Sequence, residues 1–86
     1  MNTGTPYVKT ATGNVRTGQG TLIGYYVNST TNGTIVFHDS TAGDNAVSGT
    51  QTPAIGWHSF PIELMTGLYI VITNTLNVTL IYRPRN

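Results

Sequence analysis

Short runs of apolar residues, separated by polar stretches rich in glycine, asparagine and threonine, dominate the chain. The clearest runs are rich in the β-branched and aromatic residues that favour strands, and they cover residues 20–28, 34–39, 67–73 and 78–82. Apolar residues do not recur at helical spacing over any stretch long enough to form a stable helix. The pattern therefore predicts an all-β chain.

Two polar stretches between these runs predict hairpin turns. Residues 29–33 include Asn32 and Gly33, a pair that readily adopts the positive φ angles of a tight hairpin. Residues 74–77 predict the second turn. We therefore expect two hairpins, each formed by the apolar runs on either side of its turn.

Weaker signals lie between and before the hairpins. Trp57 to Leu64 reads as a strand in which Pro61 indicates a bulge or a sheet edge, because proline cannot donate to a strand ladder. Residues 40–49 are typical of a loop, and residues 46–52 predict a short strand. Two weak strand candidates lie near the start of the chain, at residues 6–10 and 14–17.

The number and spacing of these segments bear on the fold. About seven or eight short strands at regular spacing predict a compact antiparallel β-sandwich or small barrel. A chain of 86 residues fits one domain, so residues 1–86 are interpreted as a single β domain. Residues 1–19 and 83–86 are the segments best suited to act as extended arms.

The run 20–28 is apolar on both faces if it forms a regular strand. Alternation divides its apolar side chains between the faces, with Leu22 and Tyr26 on one and Ile23, Tyr25 and Val27 on the other. A strand that is covered on both faces lies at the centre of a sandwich or at a subunit interface.

Charged residues are scarce, which bears on the partners of the chain. They make up 8% of the sequence, whereas a soluble domain usually carries about 25%. A neutral, threonine-rich surface suits a protein that is packed in a dense assembly. The net charge of +1 gives no basic stripe of the kind that binds nucleic acid. Four basic residues are either solvated charges or anchors onto an acidic neighbour: Lys9, Arg16, Arg83 and Arg85.

The sequence contains no cysteine, which excludes disulfides and thiolate metal sites. A domain this small usually gains stability from a disulfide, a metal or partner subunits, so we expect a homo-oligomer. The N-terminal residues lack the basic and apolar regions of a signal peptide, and no apolar run approaches the length of a membrane helix. We therefore expect synthesis in a cytoplasm and no membrane partner.

Few side chains are available for chemistry. The acids are Asp39, Asp44 and Glu63, and the histidines are His38 and His58. None of them lies in a nucleophile, phosphate-binding or zinc-protease motif, and the carboxylates are too few for a calcium site. The sequence therefore predicts a protein that is not an enzyme and that holds no metal or cofactor. The two aspartates are expected to shape turns.

The chain has more large aromatic side chains than so small a core can bury on one side. Such residues concentrate at protein interfaces, where they bury a large area at low entropic cost. The residues that we predict to form an interface, which include two C-terminal arginines, are Tyr25, Trp57, Phe60, Tyr82, Arg83 and Arg85.

Trp57 has three interpretations: a core residue, a subunit-interface residue, or a platform for a ligand. As a platform it would bind sugar rings with help from three polar residues, His58, Asp39 and Asp44. The sequence favours the core and the interface over the platform.

Two stretches resemble small virion proteins of tailed bacteriophages: GTLIGYYVNSTTNGTIVFHDSTAG at positions 20–43 and GLYIVITNTLNVTLIYRPRN at positions 67–86. In that group, short all-β chains decorate or cement the head, or form small tail and fibre subunits. The resemblance implies an oligomer, commonly a trimer, on a capsid lattice. Its partners would be the major capsid protein or other virion subunits.

The leading prediction is therefore a capsid decoration (cement) protein of a virion, which acts by packing against its neighbours. A tail or fibre subunit is the first alternative, and a small carbohydrate-binding β module is the second. The chain ends, with Lys9, Arg83 and Arg85, are predicted to reach the shell as arms. Removal of residues 82–86 is then expected to weaken binding to the head.

Overall fold

The computed structural model describes residues 5–84, and within this range the chain is all-β, as predicted. One antiparallel sheet contains β1 (Thr5–Lys9), β2 (Gly13–Thr17), β3 (Gly20–His38), β4 (Gly56–Leu64) and β5 (Gly67–Pro84). The described residues thus form five strands rather than about seven or eight, because two of the strands are very long. No helix of a length and apolarity that would cross a membrane occurs in the described range.

The long strands β3 and β5 pair with each other along almost their whole length. The ladder runs from Gly20 opposite Pro84 to His38 opposite Tyr69. The two predicted hairpins are therefore wrong. The segments predicted as turns lie inside the long strands, where they oppose each other.

Asn32 and Asn74 explain why these polar segments bend the long strands instead of forming hairpin turns. The φ angle is 54° at Asn32 and 64° at Asn74, and the pairing register shifts between Thr31 and Asn32. A positive φ and an extra residue in a ladder form a bulge, which bends a strand without ending it. The asparagine–glycine pair therefore bends the sheet at a position where the sequence pattern predicts a tight turn.

The bend folds the β3–β5 ladder back on itself. Tyr25 and Phe37 lie in the same strand, yet their ring centroids are only 5.3 Å apart. A straight strand would separate these two positions by about 40 Å, so β3 doubles back between them. Gly33 lies in the bend, where an added Cβ would overlap the carbonyl oxygen of Thr75.

The other strands flank the two halves of this ladder. In the first half, β1 pairs with the C-terminal part of β5 and β4 pairs with the N-terminal part of β3, which gives the order β1-β5-β3-β4. β4 is thus an edge strand, as Pro61 predicts. In the second half, β2 pairs with the N-terminal part of β5. Isolated bridges at Gln51 and Ala46 replace the short strand predicted for residues 46–52.

The arms predicted at the two ends are largely part of the sheet. β1 and β2 occupy most of the predicted N-terminal arm, residues 1–19, and β5 extends to Pro84. Residues 1–4 and 85–86 lie outside the described range.

The core lies inside the bend and draws on both halves of the ladder. Phe37 of the second half contacts Tyr25 and also Phe60 of β4, with a ring-centroid distance of 5.1 Å to Phe60. The fully buried apolar residues are Leu22, Tyr25, Val27, Ile35, Phe37, Leu64, Leu68, Ile70, Leu76, Val78, Leu80 and Tyr82.

A second bulge, between Leu22 and Gly24, resets the alternation of β3. Leu22 and Tyr25 are both buried, whereas Tyr26 is exposed. The prediction that Leu22 and Tyr26 share a face is therefore wrong. One extra residue shifts the alternation by one position, so Tyr25 enters the core and Tyr26 lies on the surface.

Candidate functional site

One side of the β1-β5-β3-β4 half of the sheet points away from the core, and we call it the outer face. On β4, exposed residues alternate regularly with residues that pack inward, so the outward side of the strand is well defined. The outer face carries Thr21 and Tyr26 of β3, Trp57 and Glu63 of β4, and Thr79 and Arg83 of β5.

A row of side chains, which we call the aromatic row, crosses the outer face from edge to edge. Its members, one from each strand in register order, are Val8, Thr79, Tyr26 and Trp57. Val8 is 64% exposed, Tyr26 45% and Trp57 48%. Because directly opposed residues on one face of a sheet contact each other, the row forms a continuous, largely apolar surface.

Gly24 supports the indole of Trp57. A Cβ added at Gly24 would lie 2.7 Å from the indole atoms Cη2 and Cζ2, so the ring packs directly over the glycine. The backbone therefore holds one side of the indole while much of the ring stays open to solvent. The absence of a side chain at position 24 is what allows this placement.

A second row, which we call the charged row, carries side chains of opposite charge. Thr21 lies opposite Arg83 on the β5 side and opposite Glu63 on the β4 side. The Thr21 hydroxyl donates a hydrogen bond to Glu63 Oε2 at 3.2 Å. The row therefore places a positive side chain on one side of β3 and a negative side chain on the other side.

Amide and hydroxyl groups border the aromatic row on the side away from the charged row. The Asn28 amide donates hydrogen bonds to Asn77 Oδ1 at 3.1 Å and to Thr79 Oγ1 at 2.9 Å. The outer face thus has an aromatic centre, a charged end and a neutral polar end.

Of the aromatic residues predicted to form an interface, two lie in the core and a third packs against it. Tyr25 and Tyr82 are fully buried, and Phe60 packs against the core. The Tyr25 hydroxyl donates to Gln51 Oε1 at 2.6 Å, and the Tyr82 hydroxyl donates to the carbonyl oxygen of Gly18 at 3.1 Å. Burial raises the pKa of both phenols. The rings of Tyr25 and Tyr82 thus stabilise the fold of a single chain, and Phe60 stays partly exposed.

Trp57 and Arg83 are the predicted interface residues that the structure places on the outer face. The exposure of Trp57 excludes the core interpretation and leaves the interface and the platform. Sequence reasoning missed Tyr26 as the exposed neighbour of Trp57. Gly24 is the signal that would have found it, because an isolated glycine in a strand pattern often marks a bulge. Arg85 lies outside the described residues.

The polar residues predicted to bind sugar with Trp57 do not gather around it. His58 faces the opposite side of β4, where its ring stacks on Tyr25 at a centroid distance of 5.2 Å. Asp44 lies in the loop after β3, where its carbonyl oxygen is 3.0 Å from His38 Nδ1. The residues that the structure describes contain no cluster of His, Asp and Glu side chains that would hold a metal ion, and they enclose no pocket.

Asp39 fastens the turn between β4 and β5. The backbone N–H groups of Met65, Thr66 and Gly67 donate to its carboxylate at 3.1, 2.8 and 3.3 Å. Burial acts to raise the pKa of this carboxyl, but the three hydrogen bonds outweigh it and hold the pKa below its ordinary value. Asp39 thus serves a structural turn.

Replacing Asp39 with alanine is expected to lower the free energy of unfolding by about 2 kcal/mol, because three amides lose a charged acceptor. Since the folded-state pKa is lowered, the stabilisation is present above the ordinary pKa of 3.8 and is lost as the pH falls through the folded value. Urea unfolding at about pH 7 and about pH 2, followed by circular dichroism, measures both effects. Asp39→Asn is the control. An equal acid sensitivity of wild type and Asp39→Asn would contradict this role of Asp39.

Comparison with protein-family models, with curated proteins and with solved structures returned no significant match.

Proposed function

We propose that the chain is a structural protein of a phage virion, and specifically a capsid decoration (cement) protein that stabilises the head by packing against its neighbours. The observation that carries the proposal is the aromatic row, which exposes Tyr26 and Trp57 side by side in a chain with 8% charged residues. The resemblance of residues 20–43 and 67–86 to small virion proteins supports the choice of a phage.

The composition of the outer face suits a protein partner. Tryptophan, tyrosine and arginine are the residues most enriched at the energetic centres of protein interfaces, and the face presents Trp57, Tyr26 and Arg83 together. Burial of apolar surface contributes about 25 cal/mol per Å², so packing alone can join subunits. The proposed partners are the major capsid protein, other virion subunits and further copies of this chain. The proposal involves no catalytic step, metal or cofactor.

The bent sheet bears on the proposed architecture. We infer that its two halves pack as the two layers of a small β-sandwich. Contacts between Tyr25 and Phe37, and between Phe37 and Phe60, support this view because they join residues from the two halves. A layered sheet with its core inside is a rigid support for an exposed face.

The structure changes which variants can test attachment through the C-terminal end. Tyr82 is a core residue whose hydroxyl bonds to Gly18, so a deletion that begins at residue 82 would damage the fold itself. Arg83 is exposed and follows the last core position. Substitution of Arg83 therefore tests attachment without removing a core side chain.

The proposal predicts that the chain is part of purified particles of the phage that encodes it. Mass spectrometry of density-gradient-purified particles is expected to find the chain in a fixed ratio to the major capsid protein, because a cement protein occupies repeated sites on the lattice. Immunogold labelling then separates a head location from a tail or fibre location. Presence in infected-cell lysates together with absence from purified particles would contradict a virion role.

A carbohydrate-binding module is the second candidate function. The observation in its favour is the indole of Trp57, which is supported by Gly24 and open to solvent on its other side, as expected for a ring that stacks on a sugar.

A further inference from the structure

We propose that the outer face binds the outer face of a second copy of this chain, with the two copies related by a twofold axis that runs parallel to β3. This inference deepens the proposed function and rests on it, since it names the surface through which the chain assembles. Two features of the face argue for a second copy: the arrangement of its charges and the position of its aromatic side chains.

The charged row is complementary to itself. Arg83 and Glu63 lie on opposite sides of Thr21, each one strand away from β3. A twofold axis along β3 exchanges the two sides, so Arg83 of each copy meets Glu63 of the other. Like charges would meet if the face carried two arginines or two glutamates at these positions. The observed pair instead gives two favourable contacts in one interface.

The aromatic row fits the same axis. Tyr26 belongs to β3, so the axis brings the two Tyr26 side chains together at the centre of the contact. Trp57 on β4 then faces Thr79 of the second copy, because β4 and β5 are the two neighbours of β3. A protein interface usually has aromatic side chains at its centre and polar or charged side chains toward its rim, and the outer face has this arrangement.

The size of the face sets the expected strength of the contact. A twofold axis along β3 superposes only β5, β3 and β4 on strands of the second copy. Three strands at about 4.8 Å spacing and a length near that of β4 give a contact of about 400 Å² per copy. A standard interface buries about 800 Å² per partner, so we expect a reversible, concentration-dependent dimer. The twofold contact predicts a dimer, whereas the resemblance to virion proteins implies a trimer.

A neutral sugar explains less of this surface than a second copy does. A sugar would use the indole of Trp57, but it has no requirement for opposite charges on the two sides of β3. The second copy uses both rows of the face.

A charge-reversal cycle tests the pairing. Sedimentation velocity over a range of concentrations gives the dissociation constant of the wild type and of Arg83→Glu, Glu63→Arg and the double variant. Each single reversal is expected to weaken association by at least about tenfold, because it places like charges in contact twice. The double reversal is expected to restore the wild-type constant.

Trp57→Ser is expected to abolish association, and Val47→Ser is the matched control. Val47 is also an exposed apolar residue, but it lies in the loop that borders the other half of β3. Circular dichroism confirms that each variant is folded. Because the chain has one tryptophan, a blue shift of its emission on association reports directly on burial of Trp57.

A wild-type chain that stays monomeric, or an oligomer unaffected by Trp57→Ser and both single reversals, would overturn the pairing. A monomer whose Trp57 emission shifts on addition of a soluble oligosaccharide such as laminarihexaose would overturn it in favour of a sugar site. The outcome of this association test is independent of the outcome of the particle test. A chain found in particles but monomeric contradicts the pairing alone, and a dimer absent from particles contradicts the virion role alone.

Discussion

Replacing Phe37 with alanine is expected to lower the free energy of unfolding by about 4 kcal/mol, because the change removes a large buried ring and leaves a cavity. Phe37 contacts both Tyr25 and Phe60, so its loss removes the packing that joins the two halves of the bent ladder. A small domain has a total stability of only about 5–10 kcal/mol. The variant is therefore expected to keep only about 1–6 kcal/mol of stability at room temperature.

Urea unfolding followed by far-ultraviolet circular dichroism measures this loss. Phe37→Leu is the control, because it keeps an apolar side chain and is expected to cost about 1.5 kcal/mol. A cost below about 1 kcal/mol for Phe37→Ala would show that the site is not the packed centre of the core. That result would contradict the packing of the two halves of the β3–β5 ladder against each other.

Gly33→Ala is expected to destabilise the chain by about 2–3 kcal/mol, because the added methyl group must displace neighbouring backbone. Its Cβ would overlap the Thr75 carbonyl oxygen and would lie 2.7 Å from the Leu76 Cβ. Neither group moves easily, since both belong to the ladder opposite the bend. The close approach of two strands at this point is what requires glycine.

Gly49→Ala is the matched control for this substitution. An added Cβ at Gly49 meets nothing within 4 Å, and its φ angle is not among the positive ones. The change is expected to be neutral or slightly stabilising, because alanine restricts the unfolded chain. Equal stabilities of the two variants in thermal unfolding would contradict the bend at Gly33.

The sequence predicts the positions of most strands but not their pairing. The apolar runs are all in strands, and Pro61 correctly indicates an edge. The polar segments around Asn32 and Asn74 carry the composition of hairpin turns and instead form bends inside long strands. A positive φ is common to a turn and a bulge, and the partner strand decides between them. That partner is distant in sequence, so local pattern could not reveal it.

The candidate site depends on a one-residue shift that the sequence does not specify. Tyr25 and Tyr26 are adjacent and chemically identical, and regular alternation would bury one or the other. The bulge between Leu22 and Gly24 decides that Tyr25 packs inside and Tyr26 lies beside Trp57. The low charge content predicts a surface for association but does not say which residues form it, because those residues depend on the register.

The most direct test of the account is the solution mass of the wild-type chain by light scattering coupled to size exclusion. We expect a mass of two 9.2 kDa chains at high concentration, which falls toward the mass of one chain on dilution. Three copies would keep an assembly role and contradict the twofold contact. A mass of a single chain at every concentration would contradict the claim that the outer face joins copies of this protein.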